Sequence, residues 1–299
     1  MTAPSRRHFL QTALAAGAAY SLPSAAAIEP IRRVGKPNIR LSCAAYSFRK
    51  YLDLKKQPQP EMTLDGFVEL CAELGLDAVE LTAYYFAQTT PEYLAHLKSK
   101  CTRLGLDVSG TAVGNDFCVT DPAKLAVQKK MVRDWVEHTS RLGGKTIRIF
   151  AGKAEKNDTE EAARGRAVEA IQEVCDHAAK YGIILALENH GGITATPEQM
   201  LAIVKAVKHE AFGVNFDTGN FNTDDPYADL AQIAPYAVVS QIKTEIQRKG
   251  KMKEEADLRR LLDILRAVNF RGYVALEYEG SEDPKTAVPQ AIAALRKAL

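Results

Sequence analysis

Apolar residues recur along the chain in two alternating patterns. Short apolar or β-branched runs predict buried strands, whereas longer stretches with apolar residues at three- and four-residue spacing predict amphipathic helices. The clearest helical stretches are Leu64–Leu74, Lys124–Leu142 and Ala162–Tyr181. Eight strands are predicted, at Ile39–Tyr46, Ala78–Thr82, Asp107–Ala112, Thr146–Phe150, Ile183–Glu188, Gly213–Asp217, Val238–Lys243 and Tyr273–Tyr278.

Glycine marks the junctions between these helices and strands. It stands in Leu74-Gly75-Leu76, Leu104-Gly105-Leu106, Leu142-Gly143-Gly144 and Tyr181-Gly182-Ile183, where a left-handed residue ends a helix and turns the chain. Helix, glycine and strand in repetition predict a parallel sheet. Eight parallel strands in one α/β domain of this length most simply close into a (β/α)₈ TIM barrel. An open doubly wound sheet is the weaker alternative, because no GxGxxG loop follows the first strand.

The first 27 residues are expected to lie outside this barrel. Ser5-Arg6-Arg7-His8-Phe9-Leu10 is a twin-arginine motif, an apolar run follows through Leu22, and Ala25-Ala26-Ala27 offers small residues for cleavage. The alternative is an N-terminus without a targeting role. The motif predicts passage through the twin-arginine translocase to the periplasm without a stable membrane anchor, because the run is short and rich in Ala. We expect a signal peptide at 1–27, a leader at 28–39 and the catalytic barrel at 40–299.

Composition narrows the class of protein. The 299 residues are 46% hydrophobic and 25% charged. The net charge is +2, and the basic residues are scattered along the chain. This is ordinary for a soluble globular protein, and it makes nucleic acid an unexpected partner. The five cysteines form no CxxC pair and do not predict a disulfide framework. We expect free, buried thiols, as suits a protein exported already folded: Cys43, Cys71, Cys101, Cys118 and Cys175.

Candidate chemistry lies where the strands end, because barrel enzymes build their sites at that face. Glu188, Asp217 and Glu277 each follow an apolar run. Such charges are costly to bury and would repel one another without a cation between them. They therefore form a candidate oxygen cage for a divalent metal. Each carboxylate alone could instead cap a helix or pair with Arg or Lys, but three on one predicted face favour a site.

Other polar residues at this face have ordinary roles open to them as well. His190 could be a surface histidine, and Gln241 and Lys243 could belong to the polar ring of the barrel interior. Glu80 could cap a helix or pair with a basic side chain.

Three segments resemble the xylose-isomerase-like barrels of the sugar phosphate isomerase/epimerase superfamily. They read Leu187-Glu188-Asn189-His190-Gly191-Gly192, Phe216-Asp217-Thr218-Gly219-Asn220 and Leu276-Glu277-Tyr278, and the resemblance extends from Ala44-Ala45-Tyr46-Ser47-Phe48 to Glu277. It implies one divalent metal held by strands five to eight, with Glu188, Asp217 and Glu277 matching the family ligands. The family's His-x-Lys on strand seven is Gln241-Ile242-Lys243 here. An amide oxygen at Gln241 favours Mn²⁺ or Mg²⁺ over Zn²⁺.

The resemblance further implies proton transfer next to a sugar carbonyl. Glu188 and Glu277 are the expected acid/base pair on opposite sides of the sugar, and Lys243 is expected to offset the negative charge of three carboxylates around one metal. The remaining residues are expected to assist catalysis or contact the substrate: His190 in the first role, and Glu80, Arg148, Tyr46 and Asn220 in the second.

Three functions remain open from the sequence. The leading one is a metal-dependent isomerase or epimerase of a keto sugar, cyclitol or oxidised glycoside. An exported protein would meet unphosphorylated substrates, and no glycine-rich phosphate loop is present. A lyase that eliminates the aglycone from 3-keto-glycosides would use the same proton abstraction. A non-catalytic sugar-binding barrel is the third, supported by Gln241 and opposed by the three retained carboxylates.

Overall fold

Eight parallel strands close into a barrel in the computed structural model, which describes residues 28–55 and 59–299. Each strand pairs with its sequence neighbour around the ring, and the last pairs with the first. The (β/α)₈ prediction is therefore confirmed over the open sheet. The barrel strands are β1 (Asn38–Ala44), β2 (Ala78–Thr82), β3 (Asp107–Ala112), β4 (Thr146–Ile149), β5 (Ile184–Glu188), β6 (Phe212–Asp217), β7 (Ala237–Ile242) and β10 (Arg271–Leu276). The predicted signal peptide at 1–27 lies outside the described residues.

Helices connect the strands, and their starts follow from side-chain capping. Thr63, Thr159 and Asp257, for example, each accept a hydrogen bond from a backbone N–H of the following turn, which satisfies a group that the helix leaves without a partner. The helices are α1 (Arg49–Leu52), α2 (Leu64–Glu73), α3 (Pro91–Arg103), α4 (Pro122–Leu142), α5 (Glu160–Lys180), α6 (Pro197–Ala206), α7 (Pro226–Ile233), α8 (Leu258–Ala267) and α9 (Pro284–Ala298).

The predicted glycine junctions are left-handed. Gly75, Gly105, Gly143 and Gly182 all have positive φ, with 81° at Gly143. Four C-terminal strand ends differ from the prediction. Tyr46 lies in a 3₁₀ turn at Ala45–Phe48, and Phe150, Lys243 and Tyr278 each come after their strands. These residues belong to the loops of the barrel mouth.

The interior of the barrel holds little apolar material. The main core packs between the strands and the helices, whereas a small separate cluster consists of Ala78, Ala186, Val239 and Tyr273. Alternate residues of a strand face the same side. Glu80, Glu188 and Gln241 lie two positions after Ala78, Ala186 and Val239 respectively. They therefore also point into the barrel, one layer nearer its C-terminal end.

An antiparallel hairpin of β8 (Glu245–Gln247) and β9 (Lys253–Glu255) follows β7. The sequence patterns did not predict it, since its strands are short and polar. All five cysteines are free and buried, as expected. Within residues 28–55 and 59–299, no helix is long and apolar enough to cross a membrane.

Candidate active site

The C-terminal mouth of the barrel contains a buried layer of charged and amide side chains. Glu80, Glu188 and Gln241 come from β2, β5 and β7, and each is at most 2% exposed. Asp217 ends β6 and is fully buried, and Glu277 directly follows β10. The structure thus brings together the carboxylates that the sequence placed at separate strand ends.

Glu188 is held from two sides. Arg148 Nε lies 2.9 Å from its Oε2, and Asn220 Nδ2 donates to its Oε1 at 2.8 Å. Arg148 also donates from Nη1 to the carbonyl of Val113 at 2.7 Å, which ties the guanidinium to the wall. Burial raises the pKa of Glu188, and Arg148 opposes that rise without cancelling it. The carboxyl is thereby oriented while its proton affinity stays above the ordinary value.

Lys243 is the central cation on the other side of the mouth. Its Nζ lies 3.4 Å from Asp217 Oδ2, 3.2 Å from Glu277 Oε2 and 3.1 Å from Glu279 Oε2, and it donates to Asn220 Oδ1 at 3.1 Å. Burial disfavours the charged amine, but Asp217, Glu277 and Glu279 together raise the pKa of Lys243 well above its ordinary value. Lys243 is therefore a firmly charged ammonium.

Burial also has the largest effect on the pKa of two of the three carboxyls beside Lys243. It raises the pKa of Asp217 and of Glu277, while Lys243 lowers both. Asp217 Oδ1 accepts from the Gly219 N–H at 2.8 Å, whereas its buried Oδ2 receives no hydrogen bond. Asn189 pairs with the backbone of Asp217 through both its amide atoms, so the loops after β5 and β6 hold each other in place.

Gln241 links three polar neighbours in the barrel interior. Its Nε2 donates to Glu80 Oε1 at 2.8 Å and to Glu277 Oε1 at 3.4 Å, and its Oε1 accepts from Asn215 Nδ2 at 2.6 Å. The amide oxygen is thus engaged by Asn215. Its role as a metal ligand stays a prediction, and this arrangement shows it positioning Glu80 and Glu277.

Glu80 comes from β2 and is buried in the barrel interior beside Gln241. Burial and the nearby charge of Glu277 raise its pKa to about 7. Its Oε1 accepts from Gln241, and its role in substrate binding stays a prediction. A buried carboxyl with this pKa binds its proton more strongly in the folded protein than in the unfolded chain, so folding should become more favourable as the pH falls.

We expect Glu80→Gln to stabilise the protein at pH 8 by up to about 3 kcal/mol, because a pKa difference of one corresponds to about 1.4 kcal/mol. The gain should shrink towards zero near pH 5. At that pH Glu80 of the folded wild type is already protonated, so the free-energy cost of burying its charge has largely disappeared. Urea unfolding at both pH values measures this, with the exposed Glu210→Gln as control. An equal difference at both pH values would show that Glu80 does not titrate near neutrality.

Aromatic residues line the rim above this layer. The half-exposed His190 ring lies over Phe150 at 4.2 Å, and the Arg148 guanidinium lies 4.1 Å from the same ring. Burial, together with Arg148 and Lys243, lowers the pKa of His190, so a neutral imidazole faces the mouth at neutral pH. Tyr46 is half-buried, and burial and then Glu279 raise its pKa.

Sequence reasoning missed three neighbours. Asn215, Glu279 and Phe150 contact Gln241, Lys243 and His190 respectively. Asn215 could have been found, because it lies two residues before Asp217 and hence on the same face of β6. Glu279 and Phe150 lie beyond the ends of β10 and β4, where no periodicity indicates which way a side chain points.

The donor chemistry of this cluster fits a hard divalent cation. Five carboxylates (Glu80, Glu188, Asp217, Glu277 and Glu279) surround two buried cations, and Asp217 Oδ2 has no hydrogen-bond donor. Among the described residues, no three His, Cys, Asp or Glu side chains already form a metal-binding group. Lys243 lies between Asp217 and Glu277, while Arg148 and Asn220 engage Glu188.

Comparison with known proteins agrees with this fold. Residues 68–298 match the family of xylose isomerase-like TIM barrels, and the chain belongs to that family. An uncharacterised protein of Methanocaldococcus jannaschii is 25% identical over 182 residues, which are 57% of this chain and 61% of that protein. The chain therefore spans about three fifths of the length of this curated relative.

Solved structures of low sequence identity share the barrel. A D-psicose 3-epimerase crystallised in the presence of D-fructose has a TM-score of 0.69 at 18% identity, covering 87% of this chain and 96% of its own. The IolI protein with a bound zinc atom has 0.67 at 23%, with coverage of 87% and 96%. The 3-keto-D-glucoside 4-epimerase of E. coli has 0.66 at 19%, with coverage of 88% and 100%. At these identities the likeness shows the fold.

Proposed function

We propose that the protein is a sugar isomerase or epimerase that moves a proton next to a carbonyl group. The observation that carries the proposal is the pair of buried carboxyls Glu188 and Glu277, which reach one mouth from β5 and from the end of β10. Two structural neighbours named as sugar 3- or 4-epimerases share this barrel. Their reactions need a proton removed from one face of a carbon and returned to the other.

The surroundings of the two carboxyls suit this work. Burial raises the pKa of each, which makes each ionised carboxylate a stronger base than an exposed one. Glu188 is oriented by Arg148 and Asn220, and Glu277 by Gln241. Each carboxyl therefore has its own fixed supports, so one can carry a proton while the other does not.

Glu188, Asp217 and Glu277 would hold a divalent metal, with Mn²⁺ or Mg²⁺ favoured by an all-oxygen donor set. When bound, such an ion supplies Lewis-acid polarisation of a carbonyl oxygen. The bound zinc atom of the IolI structure supports a metal on this fold. His190 is neutral and open to the mouth, so it would donate to or accept from a substrate hydroxyl. Tyr46 would line the opposite wall.

The charges at the mouth favour an uncharged substrate. Arg148 is engaged by Glu188 and the Val113 carbonyl, and Lys243 by three carboxylates. Neither is free to bind a phosphate, and the surrounding charge is negative. The twin-arginine motif supports action in the periplasm, where free sugars and glycosides are met. A keto sugar, an oxidised cyclitol or an oxidised glycoside fits these conditions.

Solvent-deuterium exchange tests this proposal. The Mn²⁺-supplemented enzyme is incubated in D₂O with a free ketose, an oxidised cyclitol or an aryl 3-keto-glucoside. We expect one of them to gain deuterium at the carbon beside the carbonyl and to change configuration there, as read by NMR and mass spectrometry. Release of the aryl group would instead indicate a lyase, and binding without exchange would indicate a sugar-binding barrel.

A further inference from the structure

Lys243 is placed where a cation between Asp217 and Glu277 would stand. Its Nζ contacts carboxylate oxygens from three positions: the end of β6, the end of β10 and the loop beyond. The side chain is 7% exposed. The ammonium therefore occupies the same negative space that a divalent ion would need, and two cations cannot share it without strong repulsion.

Residues of the neighbouring loop determine the direction that the Lys243 side chain takes. Gly219 has no Cβ, and one placed there would lie 2.6 Å from Lys243 Cδ and 3.2 Å from its Cβ and Cγ. The backbone of Lys243 is also fixed, because its N–H donates to Thr218 Oγ1 at 2.8 Å while the Thr218 N–H donates to the Gln241 carbonyl. The loop after β6 thus leaves room for a lysine stem that runs towards the carboxylates.

We infer that Lys243 and a divalent metal are alternative occupants of the Asp217–Glu277 pocket, and that Lys243 must withdraw before the metal binds. The inference rests on the proposed metal site and adds that Lys243 weakens metal binding by competing for the same pocket. Lys243 stabilises the carboxylates in the metal-free protein. On withdrawal, the ammonium keeps Glu279 and Asn220 as partners near the rim.

Calorimetric titration of Mn²⁺ into metal-stripped protein tests the inference. Lys243→Ala should bind Mn²⁺ about 10–100-fold more tightly than the wild type, the range that changes around metal ligands produce. Gly219→Ala should also tighten binding, because its methyl group displaces the lysine stem while the positive charge stays. In the double variant Gly219→Ala/Lys243→Ala, the change at Gly219 should not tighten Mn²⁺ binding any further, because the Lys243 Cδ that its methyl group would displace is absent.

Gly165→Ala is the matched control, because nothing lies within 4 Å of the added methyl group in α5. It should bind Mn²⁺ like the wild type. Thermal unfolding of every variant checks that the barrel is intact, and Gly219 has no positive φ that alanine would strain. A purely long-range effect of the lysine charge would leave Gly219→Ala at wild-type affinity and would overturn the inference.

Equal affinities for the wild type and Lys243→Ala, or no Mn²⁺ binding by any variant, would also overturn it. The failure of this inference is separable from that of the proposed function. Deuterium exchange by the wild type judges the reaction, whereas relative Mn²⁺ affinities judge the pocket. Exchange with equal affinities would reject the competition alone, and altered affinities without exchange would reject the reaction alone.

Discussion

Replacing Glu188 or Glu277 with glutamine is expected to lower the rate of epimerisation by about 10²–10⁴-fold, the usual contribution of a general acid or base. Glutamine keeps the size of each side chain and an oxygen for its supporting donors, but it cannot take up a proton. Both side chains are nearly inaccessible, at 2% and 6% exposure, so water cannot readily replace either one. Steady-state rates on the substrate found by exchange measure this loss.

The two variants should also differ from each other. If the two carboxyls serve opposite faces, Glu188→Gln should block solvent exchange into one epimer and Glu277→Gln into the other. The exposed Glu282→Gln, on the loop after β10, is the matched control and should exchange both epimers at the wild-type rate. A variant at either buried position that exchanges both epimers normally would remove that residue from the acid/base pair.

The barrel and the location of its site follow from short-range patterns in the sequence. Strand runs, helix periodicity and the left-handed glycines at positions such as Gly143 and Gly182 each report on local backbone conformation, which the sequence encodes directly. Parallel strands then place all their C-terminal ends on one face. For this reason Glu188, Asp217 and Glu277 could be assigned to one mouth before any contact between them was known.

The partners of those residues could not be predicted in the same way. Contacts between Gln241 and Asn215, or between Lys243 and Glu279, join residues on different strands and loops. They depend on register and on rotamers that respond to the buried charge of the whole cluster. Lys243 was expected to offset the negative charge of three carboxylates around one metal, and that role stays a prediction; the structure shows it in ion contact with Asp217, Glu277 and Glu279. An excess of buried negative charge draws the nearest flexible cation inward.

Gln241→Leu is expected to lower the free energy of unfolding by about 3–5 kcal/mol at pH 8. Leucine fills a similar volume, but it removes the donor to Glu80 and Glu277 and the acceptor for Asn215. Leaving a buried polar group without its partner costs about 1–3 kcal/mol, and more for a charged group. Urea unfolding at pH 8 and pH 5 measures the loss. It should be smaller at pH 5, where Glu80 carries a proton.

Gln241→His separates this positioning role from metal ligation. An imidazole can donate to Glu80 or accept from Asn215, so much of the stability should return relative to leucine. If position 241 also reaches the metal, the histidine variant should bind Co²⁺, Ni²⁺ and Zn²⁺ more tightly than the wild type, with the least gain for Mg²⁺. Calorimetric titration of each ion into metal-stripped protein measures these affinities. Restored stability with unchanged affinity for every ion would mean that residue 241 holds the carboxylates in place and does not itself bind the metal.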